Sequence, residues 1–341
     1  MPELRENLAT KRWVIIATER AKRPEEFIKK AEAITHPAYD PKCPFCEGNE
    51  AANTGEVLAY RQPGSKVDEK GWHLRVVPNK YPALIEPTGP PAEVKRSKSG
   101  IYLRMEGVGK HEVVVESPIH NKTIATMSID EVERVITAYR DRYLSLDWDP
   151  HYKLIIIFRN QGGLAGASQV HPHSQIVAAA IIPYHVRAAI YEAQRYYDEL
   201  GKCVFCDMIK NEIREQERIV LQNEKFIAFV PYAAMVPYET WIFPLQHETT
   251  FADLQPSEIR PLAQILRDVL AKFYHSLGNP AYNYCIRSVP HYSAGEPYYH
   301  WYIQILPRIT TIAGFEIGSG ININVALPEE SAKFLREFKV K

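Results

Sequence analysis

The stretch Val170-His171-Pro172-His173-Ser174-Gln175 sets two imidazoles one residue apart, with a proline between them, ahead of the apolar run Ile176-Val177-Ala178. On an extended segment, residues i and i+2 project to the same face. Two histidines on one face make a metal site, a catalytic pair, or one of each. Soft donors stand elsewhere in the chain: Cys43-Pro44-Phe45-Cys46 and Cys203-Val204-Phe205-Cys206 are two C-x-x-C pairs. A structural zinc takes four ligands at tetrahedral angles, and two cysteines with two histidines are a common set. Each C-x-x-C pair is followed by two histidines, and the interval from His120 to His171 nearly equals that from His247 to His300. The pattern assigns Cys43, Cys46, His120 and His171 to one zinc and Cys203, Cys206, His247 and His300 to a second. Iron also suits one of these sites, since imidazole binds it readily. The competing explanations are a thioredoxin-like redox pair, which lacks an evident βαβ unit here, and cysteines acting as small buried hydrophobes.

If His171 is a ligand, His173 is the histidine left over. A neutral imidazole is a nucleophile near pH 7, because its ordinary pKa is about 6.5. To leave Nε2 free for attack, its Nδ1–H needs an acceptor, and a nearby backbone carbonyl would serve. Pro172 has no N–H to compete for that carbonyl and fixes φ at about −65°. Gln175 lies on the same face and can donate to a phosphoryl oxygen. Upstream, RNQGGLAGAS (159–168) is a glycine-rich loop that lets backbone N–H groups approach an anion and ends in the hydroxyl of Ser168.

These groups need elements to position them. Strand-length apolar runs occur at 13–18, 73–78, 111–117, 154–160, 226–231, 240–245 and 301–307. Helical periodicity covers 128–146, with Ser128 or Asp130 as cap, and recurs over 181–201, 257–278 and 328–338. Segments 47–71 and 86–100, rich in Gly, Pro and charge, are expected to be loops. The mixture predicts an α+β fold. An internal repeat divides it: CPFC recurs as CVFC, RVVPNKYPAL is echoed by AFVPYAAMVP, and HPHSQIVA is echoed by HWYIQILP. In that register His171 matches His300, Gln175 matches Gln304, and His173 matches Tyr302. One half keeps a second histidine and the other does not. The expected division is an N-terminal half over 1–180 and a C-terminal half over 181–341.

The composition fits an ordinary globular chain: 341 residues, 45% hydrophobic and 24% charged, with Lys plus Arg equal to Asp plus Glu at 41 each. The balanced charge argues against a nucleic-acid polymer or a membrane surface as partner. No run of apolar residues is long enough to span a bilayer, and MPELRENLATKRWVII lacks the apolar core of a signal peptide. Thiols arranged for metal or redox work point to a cytoplasmic enzyme.

His171-Pro172-His173-Ser174-Gln175 resembles the H-P-H-G-Q motif of galactose-1-phosphate uridylyltransferases, a branch of the histidine triad superfamily. The similarity extends over most of the chain, through WVIIATERAKRP (13–24), VVPNKYPAL, ESPIH, FRNQGGLAGAS and GFE (314–316). The resemblance implies two tandem histidine triad-like halves, each an antiparallel sheet with flanking helices, and a homodimer. It implies a double displacement in which His173 takes a nucleoside monophosphate from a nucleoside diphosphate sugar, then passes it to a sugar 1-phosphate or to phosphate. It places Gln175 and Ser168 at the α-phosphate with Asn160 and Asn79 nearby. Arg20 and Arg23 would face phosphate or sugar, and Phe315 and Glu316 the hexose. The plain alternatives are solvated surface charge for the arginines and a core aromatic for Phe315. Three positions depart from the uridylyltransferase pattern: Ser174 replaces glycine, Lys80 replaces aspartate, and the tail GFEIGSGININV lacks Thr-Gln-Arg-Asp. Ser174, CVFC and this tail look more like ADP-glucose phosphorylases, whereas the HPH run leans to the uridylyl branch. The functions to be told apart are therefore uridylyl transfer to galactose 1-phosphate, adenylyl transfer to phosphate, a histidine triad hydrolase, and a nucleotide-binding metal protein without turnover.

Overall fold

In the computed structural model, which describes residues 1–17, 36–90 and 96–340, most of the strand-like runs join a single antiparallel sheet of ten strands. Two strands precede it: β1 (Glu3–Glu6) and β2 (Trp13–Ile16) form a hairpin. The first half of the sheet comprises β3 (Leu58–Arg61), β4 (Trp72–Pro78), β7 (Gly109–Val115), β8 (Leu154–Gln161) and β9 (His173–Ala179). Between β4 and β7, the strands β5 (Arg96–Ser99) and β6 (Tyr102–Met105) make a separate ribbon. The second half comprises β10 (Ile219–Gln222), β11 (Phe226–Phe229), β12 (Thr240–Pro244), β13 (Tyr282–Arg287) and β14 (Tyr302–Pro307). Strand order is β10-β11-β12-β14-β13-β8-β9-β7-β4-β3, so the halves meet at β13 and β8, and each reads outward in the same sequence of strand types. The repeat seen in the sequence is thus a repeat of strand order about one seam.

Alternation along the strands sets the two faces. In β9 every second residue (Ser174, Ile176, Ala178) is fully buried and the intervening ones are less so. The buried face packs on α1 (Ile129–Asp147) and, in the second half, on α4 (Pro256–Ser276), giving one continuous core that includes Val114, Ile157, Ile176, Ile242, Ile303, Val135 and Leu266. Ser128 caps α1 as expected: its hydroxyl accepts from the Glu131 N–H at 3.3 Å, and the Glu131 carboxylate accepts from the Ser128 N–H at 2.9 Å. The opposite face carries His173 and Gln175 in the first half. In the second half it is covered by α2 (Tyr184–Leu200) and α3 (Val204–Glu215) over a cluster of Phe205, Phe229, Trp241, Phe243 and Tyr302. Near the end of the chain come the short helix α5 (Gly314–Ser319), then β15 (Asn322–Asn324), which runs parallel to β2, and last α6 (Pro328–Glu337). Among the described residues no helix is long and apolar enough to cross a membrane.

Two expectations need correction. The segments taken as loops contain β3 and, from Arg96, β5. Neither strand has a fully buried residue, so neither carries the apolar run by which strands are recognised. The helix α3 went unrecognised because its first turn is the C-x-x-C pair itself, with Cys203 at the N-cap.

The join of helix to sheet predicts a measurable asymmetry among ion pairs. Glu112 on β7 is wholly buried and receives both Nε and Nη2 of Arg142 from α1, at 2.8 and 2.7 Å. Arg142→Ala leaves that carboxylate unpaired and is expected to cost about 3 kcal/mol. Arg260→Ala, which breaks exposed pairs to Asp130 and Glu133, is expected to leave the Tm where it was. Thermal unfolding of both variants checks the contrast.

Candidate active site and metal centres

The first C-x-x-C pair sits on a tight loop in which Cys46 N–H donates to the Cys43 carbonyl, and the Asn49 side chain holds the same carbonyl at 2.8 Å. The loop faces the end of β7 and the approach to β9. There Cys43, Cys46, His120 and His171 bring their donor atoms within 4.8 Å of one another, all four residues buried. Cys46 Sγ lies 3.5 Å from His120 Nδ1 and 3.6 Å from His171 Nδ1. Backbone N–H groups of Phe45 and Asp40 point at the two sulfurs, at 3.4 and 3.3 Å, as suits thiolates. His171 Nε2 donates to the Ser117 carbonyl at 2.7 Å, which fixes the tautomer that leaves Nδ1 free for a metal. Burial holds the His171 pKa down to about 4, so the ring is neutral as a ligand must be. The donor set, its spacing and its outer hydrogen bonds fit a tetrahedral metal ion.

His173 opens β9 and is buried to 6% exposure. Its Nδ1 lies 2.9 Å from the His171 carbonyl. A carbonyl only accepts, so Nδ1 carries the proton and Nε2 keeps its lone pair. Burial pushes the His173 pKa below the ordinary histidine value; the bond to His171 opposes this, and the charge of Arg159 adds to it. The ring packs against Phe45, centroids 5.6 Å apart. Phe45 is a member of the site that the sequence reading passed over, although it stands inside the first C-x-x-C pair. Behind the strand, Arg159 is 1% exposed and donates to the His173 carbonyl at 3.2 Å, while contacting the Glu116 carboxylate at 3.1 Å. The backbone around His173 is therefore tied on both sides, at His171 by the His173 ring and at His173 by a buried guanidinium.

Gln175 faces Val113 across β7 and Phe158 across β8. Its Oε1 lies 2.7 Å from His111 Nε2, and the Ala83 N–H donates to His111 Nδ1 at 3.2 Å. That second bond makes His111 Nε2 the donor, so Gln175 Oε1 is occupied and its amide N–H groups remain for a ligand. The Asn79 backbone N–H donates to the His111 carbonyl at 2.8 Å. His111 thus links Gln175 and Asn79; no spacing rule singled it out, because it stands alone at the start of an apolar strand. Asn160 accepts at Oδ1 from Asn283 of β13 at 2.7 Å, and Asn283 also donates to the Ala165 carbonyl in the glycine-rich loop. Gly162 begins that loop's turn at φ +80°, where a Cβ would press on Ala281 at 3.0 Å. Ser168 lies exposed on the same loop.

The other predicted residues are placed less uniformly. In the second half, Cys203, Cys206 and His247 form a cluster, with Cys206 Sγ 3.3 Å from His247 Nδ1. His300 is not in that cluster: its Nδ1 bonds the Trp301 carbonyl at 3.1 Å, although its ring lies 5.4 Å from that of His247, the same spacing as between His120 and His171. Among the described residues, His300 Nε2 is a buried nitrogen with no hydrogen-bond partner. Cys206 is half-buried and His247 exposed, so this cluster is more open than the first. Ser174 pairs with Val114 and turns into the helix-covered core, so it lies on the opposite face of the sheet from Gln175. Phe315 and Glu316 lie on α5, Phe315 at 50% exposure, with no described contact to His173. Arg20 and Arg23 fall outside the described residues.

Because the first cluster closes the loop over β9, Cys43→Ser is expected to remove one metal equivalent per chain and to lower the Tm by several degrees. Elemental analysis of gently purified protein, alongside thermal unfolding, checks both effects.

Comparison with known proteins agrees with the architecture. The family model for the N-terminal domain of galactose-1-phosphate uridyl transferase matches residues 1–183, and the model for the C-terminal domain matches residues 189–339. The chain is 34% identical to an ADP-glucose phosphorylase of Arabidopsis thaliana, over 98% of this chain and 93% of the relative. It is 30% identical to a galactose-1-phosphate uridylyltransferase of Thermotoga maritima over the whole of both chains. A crystal structure of an Arabidopsis thaliana ADP-glucose phosphorylase with bound ADP-glucose superposes at a TM-score of 0.82, with 33% identity, covering 99% of this chain and all of that one. With both halves matched and the histidine pair set as described, this chain belongs to the galactose-1-phosphate uridylyltransferase family of nucleotidyltransferases.

Proposed function

We propose that the protein moves a nucleoside monophosphate between a nucleoside diphosphate sugar and a sugar 1-phosphate, with His173 as the covalent carrier. One observation carries the reading: Nδ1 of His173 is committed to the His171 carbonyl, so Nε2 presents a lone pair that stays unprotonated at neutral pH. In the first step Nε2 attacks the α-phosphorus, and the bond from that phosphorus to the bridging oxygen breaks. The electron pair leaves on the sugar 1-phosphate. In the second step a phosphate oxygen of the acceptor attacks the same phosphorus, and the P–N bond breaks to restore the imidazole. Gln175 and the glycine-rich loop with Ser168 steady the α-phosphate, while Asn160 and Asn79 hold the nucleotide. Arg20 and Arg23 are proposed to meet phosphate or sugar, and Phe315 with Glu316 the hexose. The two Cys–His clusters are proposed to hold zinc, with iron an alternative in one, His300 completing the second by turning Nε2 or Nδ1 toward it. Such ions stiffen the fold, and the reacting groups come from the chain. We also retain a division of the halves near residues 180 and 181, a cytoplasmic setting consistent with the free thiols, and a homodimer. The apolar outer side of α5, with Ile317 at 77% exposure, supports the last point, and sedimentation velocity would measure it.

The leading substrate pair is UDP-glucose with galactose 1-phosphate, in line with the Thermotoga maritima relative and the HPH run. A second reading, adenylyl transfer from ADP-glucose to inorganic phosphate, is favoured by the Arabidopsis thaliana relative and its ADP-glucose complex. Ser174 does not help to choose, because it faces the core.

Intact-protein mass spectrometry after mixing with UDP-glucose or with ADP-glucose, without acceptor, tests the mechanism and the base together. A gain of one UMP is expected, absent in His173→Ala. A gain of AMP would select the second reading, and no adduct from either donor would overturn the carrier role. The pH profile gives a separate check. Since the folded His173 pKa lies below its ordinary value, kcat/KM should stay flat down through about 6.5 and fall only at lower pH, as the ring gains a proton. A fall beginning above neutrality would contradict a buried neutral imidazole.

A further inference from the structure

The second half holds a cavity at the place where the first half holds its nucleophile. In β14, Gln304 lies opposite Cys285 of β13, as Gln175 of β9 lies opposite Phe158 of β8. Tyr302 stands at the position of His173, and Phe205 of the second C-x-x-C pair packs on it at 5.6 Å, the distance from Phe45 to His173. Burial pushes the Tyr302 phenol up to about 12, so it is protonated at neutral pH and no nucleophile. Over this strand pair lies a cavity of about 250 Å³, closed by the β1–β2 hairpin on one side and the first turns of α2 on the other.

Its polar lining is ordered and cationic. Gln304 Oε1 accepts from both Nε and Nη2 of Arg287, at 3.0 and 2.8 Å, which fixes the guanidinium plane and leaves Nη1 out of both bonds. Gln304 Nε2 donates to Glu239 at 2.8 Å, and Glu239 also accepts from Trp241 Nε1 at 2.7 Å and the Met235 N–H at 2.6 Å. Glu239, the buried carboxylate of the described lining, is thus spent on three donors. Arg12 and His185 stand at the rim. Partial burial lowers the His185 pKa, and Arg287 and Arg12 lower it further, so all three groups share one field. A guanidinium held flat by a side-chain amide, with a second guanidinium and an imidazole facing the same small space, matches a phosphoryl group.

We propose that this cavity is a second, non-transferring site that binds a phosphate monoester or inorganic phosphate through Arg287, with Arg12 and His185 closing over it. The duplication kept the glutamine of the phosphate cradle, exchanged the nucleophile for a phenol, and added an arginine. The comparison of cradles rests on the proposed role of Gln175, but occupancy of the cavity is measured without any turnover.

Isothermal titration of the whole protein with inorganic phosphate, and separately with glucose 1-phosphate, tests it. Two sites per chain are expected, one of them weakened at least tenfold by Arg287→Gln while the nucleotidyl adduct on His173 still forms. Tighter binding of glucose 1-phosphate at that site would identify the ester as its ligand; equal or weaker binding would identify inorganic phosphate. A single site in the unmutated protein, or two sites unchanged by Arg287→Gln, would overturn the proposal. Should the variant fail to fold, crystals of the unmutated protein soaked in tungstate decide: an anomalous peak beside Arg287 is expected, and a cavity without one overturns the site. If the adduct fails but phosphate still binds beside Arg287, the carrier reading falls and the second site stands.

Discussion

The hydrogen-bonded seam between β8 and β13 is the constraint on which the rest of the molecule depends. It joins two half-sheets edge to edge, with Asn160 opposite Asn283 and Phe158 opposite Cys285. Because strands β8 and β13 are central, neither presents an open edge to solvent. The seam also makes the two halves share one core, since the helices on the covered face pack on both sides of it. Its side chains also tie one half to the other. Asn283 belongs to the second half by sequence, yet it holds Asn160 and the glycine-rich loop of the first.

Around His173, the proposed carrier, the chain has solved a problem of orientation. A histidine ring has two nitrogens, and attack requires that the wrong one be engaged. Here the engagement is made by the carbonyl two residues back, and that carbonyl is steady because its own side chain belongs to the Cys–His cluster. The cluster's hydrogen bond to Ser117, the ladder bond from the Glu116 N–H to the Pro172 carbonyl, and the grip of Arg159 on His173 all act on the same three residues. Burial supplies the rest, as it removes the water that would otherwise favour the charged ring. The tautomer of the ring and its rigidity therefore have one source, the packing of a short segment between the Cys–His loop and a buried ion pair.

Much of this could be read from the order of residues, for reasons that differ by feature. Metal ligands are identified by residue type and interval, so the first Cys–His cluster was legible. The strands that carry it have strong apolar runs, and the repeat told which strands correspond. What stayed hidden depends on three-dimensional neighbours. His111 has no spacing partner and gains meaning only when β7 lies beside β9. Phe45 reads as filler in a C-x-x-C pair until its ring meets His173. The ring setting of His300 turns on a local hydrogen bond to Trp301, which no sequence interval encodes. Short half-exposed strands such as β3 lack the burial that writes a pattern into sequence.

The pairing of β2 with β15 has a consequence for synthesis. Ile15 lies beside Ile323, and Arg5 makes an ion pair with Glu329, 324 residues further along, so β1 and β2 find partners that are made long after them. On the ribosome, N-terminal segments emerge first and can pair only with what has already followed them. The hairpin finds part of its apolar cover for Val14 and Ile16 in Ala233 and Met235, and the rest only when Leu327 and β15 have been made. Completion of this clasp is thus a late step relative to the strands between, and a nascent chain halted before β15 would carry a hairpin with one edge unpaired.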